Sequence, residues 1–281
     1  MTYQAARAGL TGSGRWLWPS RLNCPSERAL VATRRRVRFG PGRTQTAIFR
    51  ASRRGSAPRP TVMLLHGGSW TWPYGRWLMV LVARHARRRG WNTYNVKYRR
   101  LGRFGGGGGW PATFIDVAAA LDTLVDQLHT GKLGSAASID KRVAVVGHSA
   151  GGHLALWLAA ERPTRLVGVV SMGGPTDLEK MAANPANVSV IALVEGAPAT
   201  ERWALTSPAA RVPTGAPTCL VHGSDDTVVA PDWARRYADS ATAAGDTVDL
   251  HIIDGEKHND AIRPKSGQWQ AAAAAVERWF G

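Results

Sequence analysis

Four short segments of this sequence carry residue types suited to covalent nucleophilic chemistry. The first is Gly147-His148-Ser149-Ala150-Gly151, which follows the apolar run Val143–Val146 and precedes the helix-like run His153–Ala160. Small residues around a serine between a strand and a helix form a turn so tight that larger side chains would collide. Such a turn lifts the Ser149 hydroxyl above the sheet, and the helix N-terminus behind it favours developing negative charge. The second segment, His66-Gly67-Gly68-Ser69-Trp70, comes directly after Thr61–Leu65. Acyl transfer needs main-chain N–H groups aimed at a carbonyl oxygen as it becomes O⁻, and glycines after a strand permit that close approach. The expected donors are the N–H groups of Gly68, Ser69 and Ala150.

The other two segments could supply an acid and a base. His222-Gly223-Ser224-Asp225-Asp226-Thr227-Val228-Val229 ends one apolar run, and Asp254-Gly255-Glu256-Lys257-His258-Asn259-Asp260 ends the next. A histidine takes the serine proton and returns it to the leaving group, while an aspartate holds the imidazole in the right tautomer. His258 fits the base; Asp225 and Asp226 both fit the acid, separated only by the register of one turn. Of the other histidines, His66 reads as a brace for its loop, His153 as a brace for the serine turn, and His251 as structural. His85 and His129 read as solvated surface.

These segments need a scaffold that brings several strand ends together. From residue 61 onward, short apolar runs alternate with amphipathic ones: 62–65 then 76–89, 91–98 then 113–128, 142–146 then 150–161. After 166–171 comes an irregular region to about 212, followed by 218–221, 231–244, 248–253 and a last helix near 266–280. Alternation of this kind predicts an α/β fold, a mostly parallel sheet with helices on both faces. Upstream, residues 36–39 and 44–49 alternate around Gly40-Pro41-Gly42, the pattern of an antiparallel hairpin. The glycine run 105–109 reads as a mobile loop, and residues 52–60 as a linker.

The charge is unevenly placed. The 281 residues carry 36 Lys+Arg against 20 Asp+Glu, a formal +16, and no acid occurs between Glu27 and Asp116. Such asymmetry raises the idea of an anionic-polymer partner using the basic N-terminal part. Against it, Arg far outnumbers Lys and no nucleic-acid recognition motif is present, so no specific nucleic acid is expected. Residues 1–33 form an Arg-rich extension, expected to be poorly ordered, ahead of a catalytic domain at 34–281. Two cysteines, Cys24 and Cys219, exclude a disulfide scaffold and a multi-cysteine zinc site; Cys219, in an apolar run, reads as a buried thiol. Motifs for nucleotides or metals are missing, and the chemistry needs neither metal nor cofactor. With no 18-residue apolar run and no hydrophobic export core, the expected location is cytoplasmic.

Taken together, His66-Gly67-Gly68-Ser69-Trp70 and Gly147-His148-Ser149-Ala150-Gly151-Gly152-His153 resemble the α/β-hydrolase esterases of the HGGxW type, which include arylformamidases and bacterial carboxylesterases. Tyr98-Arg99-Arg100, Gly109-Trp110-Pro111-Ala112-Thr113 and Ser207-Pro208 extend the similarity across residues 37–281. The resemblance implies an α/β-hydrolase fold with an eight-stranded sheet and a triad on Ser149, Asp226 and His258. Asp226 is preferred to Asp225 because the Asp-x-Val-Val spacing matches the family pattern. Lys97 departs from it, standing where an acid is common. The stretch 173–212 is short for a cap, which suits small or medium esters.

The function expected is therefore a serine hydrolase cleaving small or aryl esters, or formamides, through an acyl-enzyme. Trp70, Trp72 and Trp110 are candidates to line its substrate site. The alternative within enzymes is a peptidase of the prolyl-oligopeptidase type; the absence of a propeller or other large N-terminal domain counts against it. The partner expected is a small-molecule ester or amide.

Overall fold

The computed structural model describes residues 34–52, 58–134 and 139–281. The Arg-rich extension and the middle of the 52–60 linker fall outside these residues. Eight strands form one sheet: β1 (Arg34–Arg38), β2 (Thr46–Arg50), β3 (Arg59–Leu65), β4 (Asn92–Lys97), β5 (Ile139–His148), β6 (Gly168–Met172), β7 (Thr218–Gly223) and β8 (Val248–Ile253). Their order is β1-β2-β4-β3-β5-β6-β7-β8. The β1–β2 hairpin is antiparallel, β2 meets β4 antiparallel, and every other pairing is parallel.

The central strands are apolar on both faces because helices cover both. Helices α1 (Val80–Arg88) and α8 (Gly267–Phe280) cover one face. Their Val82, Ala86, Trp269 and Val276 pack on Val62, Leu64, Val146 and Val221. Helices α2 (Ala112–His129), α3 (Ala150–Glu161) and α7 (Asp232–Ala243) cover the other, with Phe114, Leu121, Leu154 and Tyr237 against Met63, Tyr94 and Val145. Buried side chains such as these contribute about 1.5–3 kcal/mol each. Between β6 and β7 the stretch read as irregular forms α4 (Leu178–Ala182), α5 (Val188–Val194) and α6 (Arg202–Thr206). Segments of five to seven residues are too short to display a helical period in sequence.

Strands β3 and β5 are neighbours, yet β3 continues through α1 on one face and β5 through α3 on the other. That is a topological switch point, where α/β sheets open a crevice beyond their C-terminal strand ends. Both glycine-rich segments lie at this crevice, His66–Trp70 after β3 and Ser149 after β5. Two features depart from the sequence reading. His85 is not solvated surface: it is half-buried, and its Nδ1 accepts a 2.8 Å hydrogen bond from the Trp269 indole. The glycine run is not slack either, for a Cβ on Gly105 would lie 2.0 Å from the Arg100 carbonyl oxygen. Arg100 N–H donates to Gly105 O, and Gly108 N–H donates to Arg100 O, both at 2.9 Å.

Candidate active site

Ser149 sits between β5 and α3 with φ 53° and ψ −123°, a backbone conformation that L-residues rarely adopt. The surrounding glycines make it possible. A Cβ on Gly147 would lie 2.0 Å from the Gly151 carbonyl oxygen, and one on Gly151 would lie 2.2 Å from that of Leu65. The turn is held by Ser149 N–H donating to Met172 O (2.8 Å) and His153 N–H donating to Ser149 O (3.1 Å). The Ser149 hydroxyl and His258 Nε2 make no hydrogen bond among the described residues. Catalytic contacts in unliganded enzymes are often loose and close only around substrate.

Asp226 follows β7 and is buried. Its Oδ1 accepts from the main-chain N–H groups of Val228 (2.8 Å) and Val229 (2.9 Å). Its Oδ2 lies 2.7 Å from His258 Nδ1 and 3.1 Å from His222 Nε2. Burial works to raise its pKa, but the bonds from His222, His258 and Val229 outweigh it and hold the carboxyl well below the usual range. Asp225 is exposed and accepts from the Ser224 hydroxyl at 2.9 Å. Because Oδ2 can only accept, His258 Nδ1 must carry a proton, leaving Nε2 free as a base.

His222, at the head of the Asp226 motif, has a role that its sequence context does not signal. Its Nε2 also lies 2.8 Å from Val229 O. Both neighbours are acceptors, so Nε2 is protonated and its proton is shared between them. His148, next to the serine, is a second unforeseen contributor: its Nε2 lies 3.0 Å from the main-chain oxygen of His258. Burial, then the nearby His258, pushes its pKa down to about 3. It is a neutral donor tying the serine strand to the loop of His258. A histidine flanked by glycines in a turn gives no sequence hint of a partner 110 residues away.

The segment after β3 is strained in sequence: Gly68, Ser69 and Trp70 have φ 104°, 49° and 57°. A Cβ on Gly68 would lie 2.1 Å from Tyr74 Cβ. The main-chain N–H groups of Gly68, Ser69 and Ala150 donate to nothing among the described residues, which suits donors reserved for a ligand. His66 braces this loop by stacking on Tyr98, with ring centroids 4.3 Å apart, and burial lowers its pKa to about 3. His153 braces from below, its Nε2 2.9 Å from Thr206 O.

Of the aromatic candidates, Trp72 is half-exposed and meets Phe104 edge-on at 5.2 Å. Trp110 is partly buried against Phe114. Trp70 changes role: it is 2% exposed, with its ring edge-on to His153, so it packs beneath the loop. Away from the site, Cys219, Asp249 and His251 bring donor atoms within 4.8 Å of one another. Burial pushes the Cys219 thiol up to about 12, and Arg278 already engages Asp249, so this trio is poorly suited to a metal. No helix among the described residues is long and apolar enough to cross a membrane.

The fold is shared with solved esterases. The chain is similar to a bifunctional GH43-CE protein of Bacteroides eggerthii, with TM-score 0.74 and 18% identity over 89% of this chain. It spans only 36% of that longer protein. It is also similar to an acetyl ester-xyloside bifunctional hydrolase from Caldicellulosiruptor lactoaceticus, with TM-score 0.68 and 20% identity over 88% of this chain and 95% of that one. A third similar structure is Esterase B from Lactobacillus rhamnosis, with TM-score 0.69 and 17% identity over 91% and 90% of the two chains. No curated protein matches in sequence. Residues 85–281 match the prolyl oligopeptidase family, and that stretch holds the Ser149, Asp226 and His258 segments. The chain thus belongs to the prolyl oligopeptidase family, as a serine hydrolase with the α/β-hydrolase fold.

Proposed function

We propose that this protein is a carboxylic ester hydrolase that works through an acyl-enzyme on Ser149. The observation that carries this reading is the buried 2.7 Å contact between Asp226 and His258, at the same crevice as the Ser149 turn. His258 Nε2 removes the Ser149 proton as Oγ attacks the ester carbonyl. The resulting oxyanion is received by the N–H groups of Gly68, Ser69 and Ala150. His258 then protonates the departing alkoxide, and water repeats the sequence to release the acid. Asp226 stays ionised throughout and stabilises the imidazolium. In this reading residues 34–281 are the catalytic domain, and the short helices near 173–212 form a small cap. Trp72 and Trp110 line a site for small acyl or aryl esters.

The test is p-nitrophenyl acetate turnover by wild type and Ser149→Ala. Loss of about three or more orders of magnitude in kcat is expected for the variant. Equal rates, or an inactive wild type across short acyl chains, would sink the proposal. The family match keeps one other reading in view, a peptidase. Faster cleavage of prolyl p-nitroanilides than of esters would favour that reading.

A further inference from the structure

A groove of about 520 Å³ opens beside the loop that carries Gly68 and Ser69, with none of Ser149, Asp226 and His258 in its lining. Its floor is formed by β1, β2 and β4 at one edge of the sheet, which contribute Arg34, Ile48, Thr93 and Lys97. One wall is α1, with Val80, Ala83 and Arg84; the end is closed by the 72–77 segment and Arg100. Seven of the seventeen lining residues are Arg or Lys, and none is an acid. This composition follows from the sequence, since all of the lining falls within the acid-free stretch that ends at Asp116.

Five of these seven cations, Arg34, Arg76, Arg84, Lys97 and Arg100, have no acidic partner among the described residues. Arg99 and Arg89, which point elsewhere, are paired with Asp116 and Glu277. Like charges crowd the groove: burial, then Arg100, Arg76 and Arg36, lowers the Lys97 pKa. Arg100 is 4% exposed and held by the Tyr74 carbonyl. Beside these cations stand three rings that solvent reaches, Trp72 (48% exposed), Trp77 (60%) and Phe104 (60%).

We propose that this groove is a binding site for a small aromatic anion, an aryl phosphate or a ligand of similar chemistry. Guanidinium groups take up phosphate or carboxylate oxygens in pairs, while indole faces accept a flat ring. The volume is within the range of small-molecule pockets. A concave site of this size favours a discrete ligand over a flat anionic surface. Its segment 72–77 continues the loop carrying Gly68 and Ser69, and Tyr74, held by Arg100, packs directly on Gly68. A ligand on Arg100 would therefore bear on the oxyanion loop as well.

The test is calorimetric titration of the full chain with 1-naphthyl phosphate, 1-naphthol and inorganic phosphate. The aryl phosphate is expected to bind at least about tenfold more tightly than either fragment, and more weakly as salt rises. Arg84→Gln and Lys97→Gln, each checked for an unchanged thermal melt, should each weaken it about fivefold or more. Equal binding of 1-naphthol, no binding, or unchanged binding by both variants would overturn the proposal. So would binding to phosphatidylglycerol vesicles that 1-naphthyl phosphate does not displace. Because the readout is binding, the result stands apart from whether Ser149 is a nucleophile.

Discussion

Asp226 Oδ2 lies 2.7 Å from His258 Nδ1 and 3.1 Å from His222 Nε2, so one carboxylate oxygen serves two imidazoles. In the proposed mechanism His258 is the base, whereas His222 only orients the carboxylate. Replacing His222 with Gln is expected to lower kcat by about ten- to a hundredfold with KM little changed, as outer partners of catalytic groups do. His258→Ala should cost several orders of magnitude. Ester kinetics for the two variants check this; a His222→Gln enzyme with wild-type kcat would remove the positioning role.

Gly68 is closely packed by Tyr74. A methyl group there meets Tyr74 Cβ at 2.1 Å and forces alanine into φ 104°. Gly68→Ala should shift the oxyanion loop and reduce kcat by about a hundredfold, the scale of losing one N–H donor. Thermal stability, measured alongside, should fall much less than activity.

Acid should destabilise the fold from about pH 6.5 downward. His66 and His148 have pKa values near 3 and His153 near 4, all lowered first by burial from an ordinary 6.5. Below 6.5 the unfolded chain takes up these protons while the folded chain does not, so stability is full above 6.5 and lost as pH falls towards 4. The depressed Asp226 carboxyl adds a loss in the same direction at lower pH. Melting temperatures between pH 8 and 4 check the slope. Replacing His153 with Gln should flatten it; an unchanged slope counts against the assignment.

Asp116 is fully buried and accepts from Arg99 Nη2 (2.7 Å), Arg99 N–H (2.8 Å) and Gln45 Nε2 (2.7 Å). Removing one partner of a buried pair strands the other, so Asp116→Asn should cost about 3 kcal/mol. For a domain of this size that is a melting-point drop of roughly 6–12 °C, readable by calorimetry.

Much of this molecule is legible in its sequence because the signals are local. The sheet and its flanking helices follow from periodicity, and the Gly147–Gly151 turn follows from sterics within five residues. What could not be read is long-range or unpatterned. His148 reaches a carbonyl 110 positions away, and His222 meets Asp226 only once its turn is formed. His85 looked like a surface residue because its partner, Trp269, lies on another helix. The groove illustrates the same limit. The acid-free stretch was plain as composition, but only the meeting of β1, β2 and β4 with α1 turns it into a cavity.

The backbone of Arg100 is wrapped by the glycine run, and the next residue, Leu101, bridges to Thr71 through Leu101 N–H to Trp70 O and Trp72 N–H to Leu101 O. A run of identical small residues usually tolerates drift, in length and in identity. Here Gly105 and Gly108 leave no room for a methyl group, since a Cβ at either meets Arg100 main-chain atoms within 2.6 Å. The segment that looks most expendable on paper is therefore among the least free to evolve. A side chain at Gly105 or Gly108 would displace the Arg100 backbone, and with it the end wall of the basic groove.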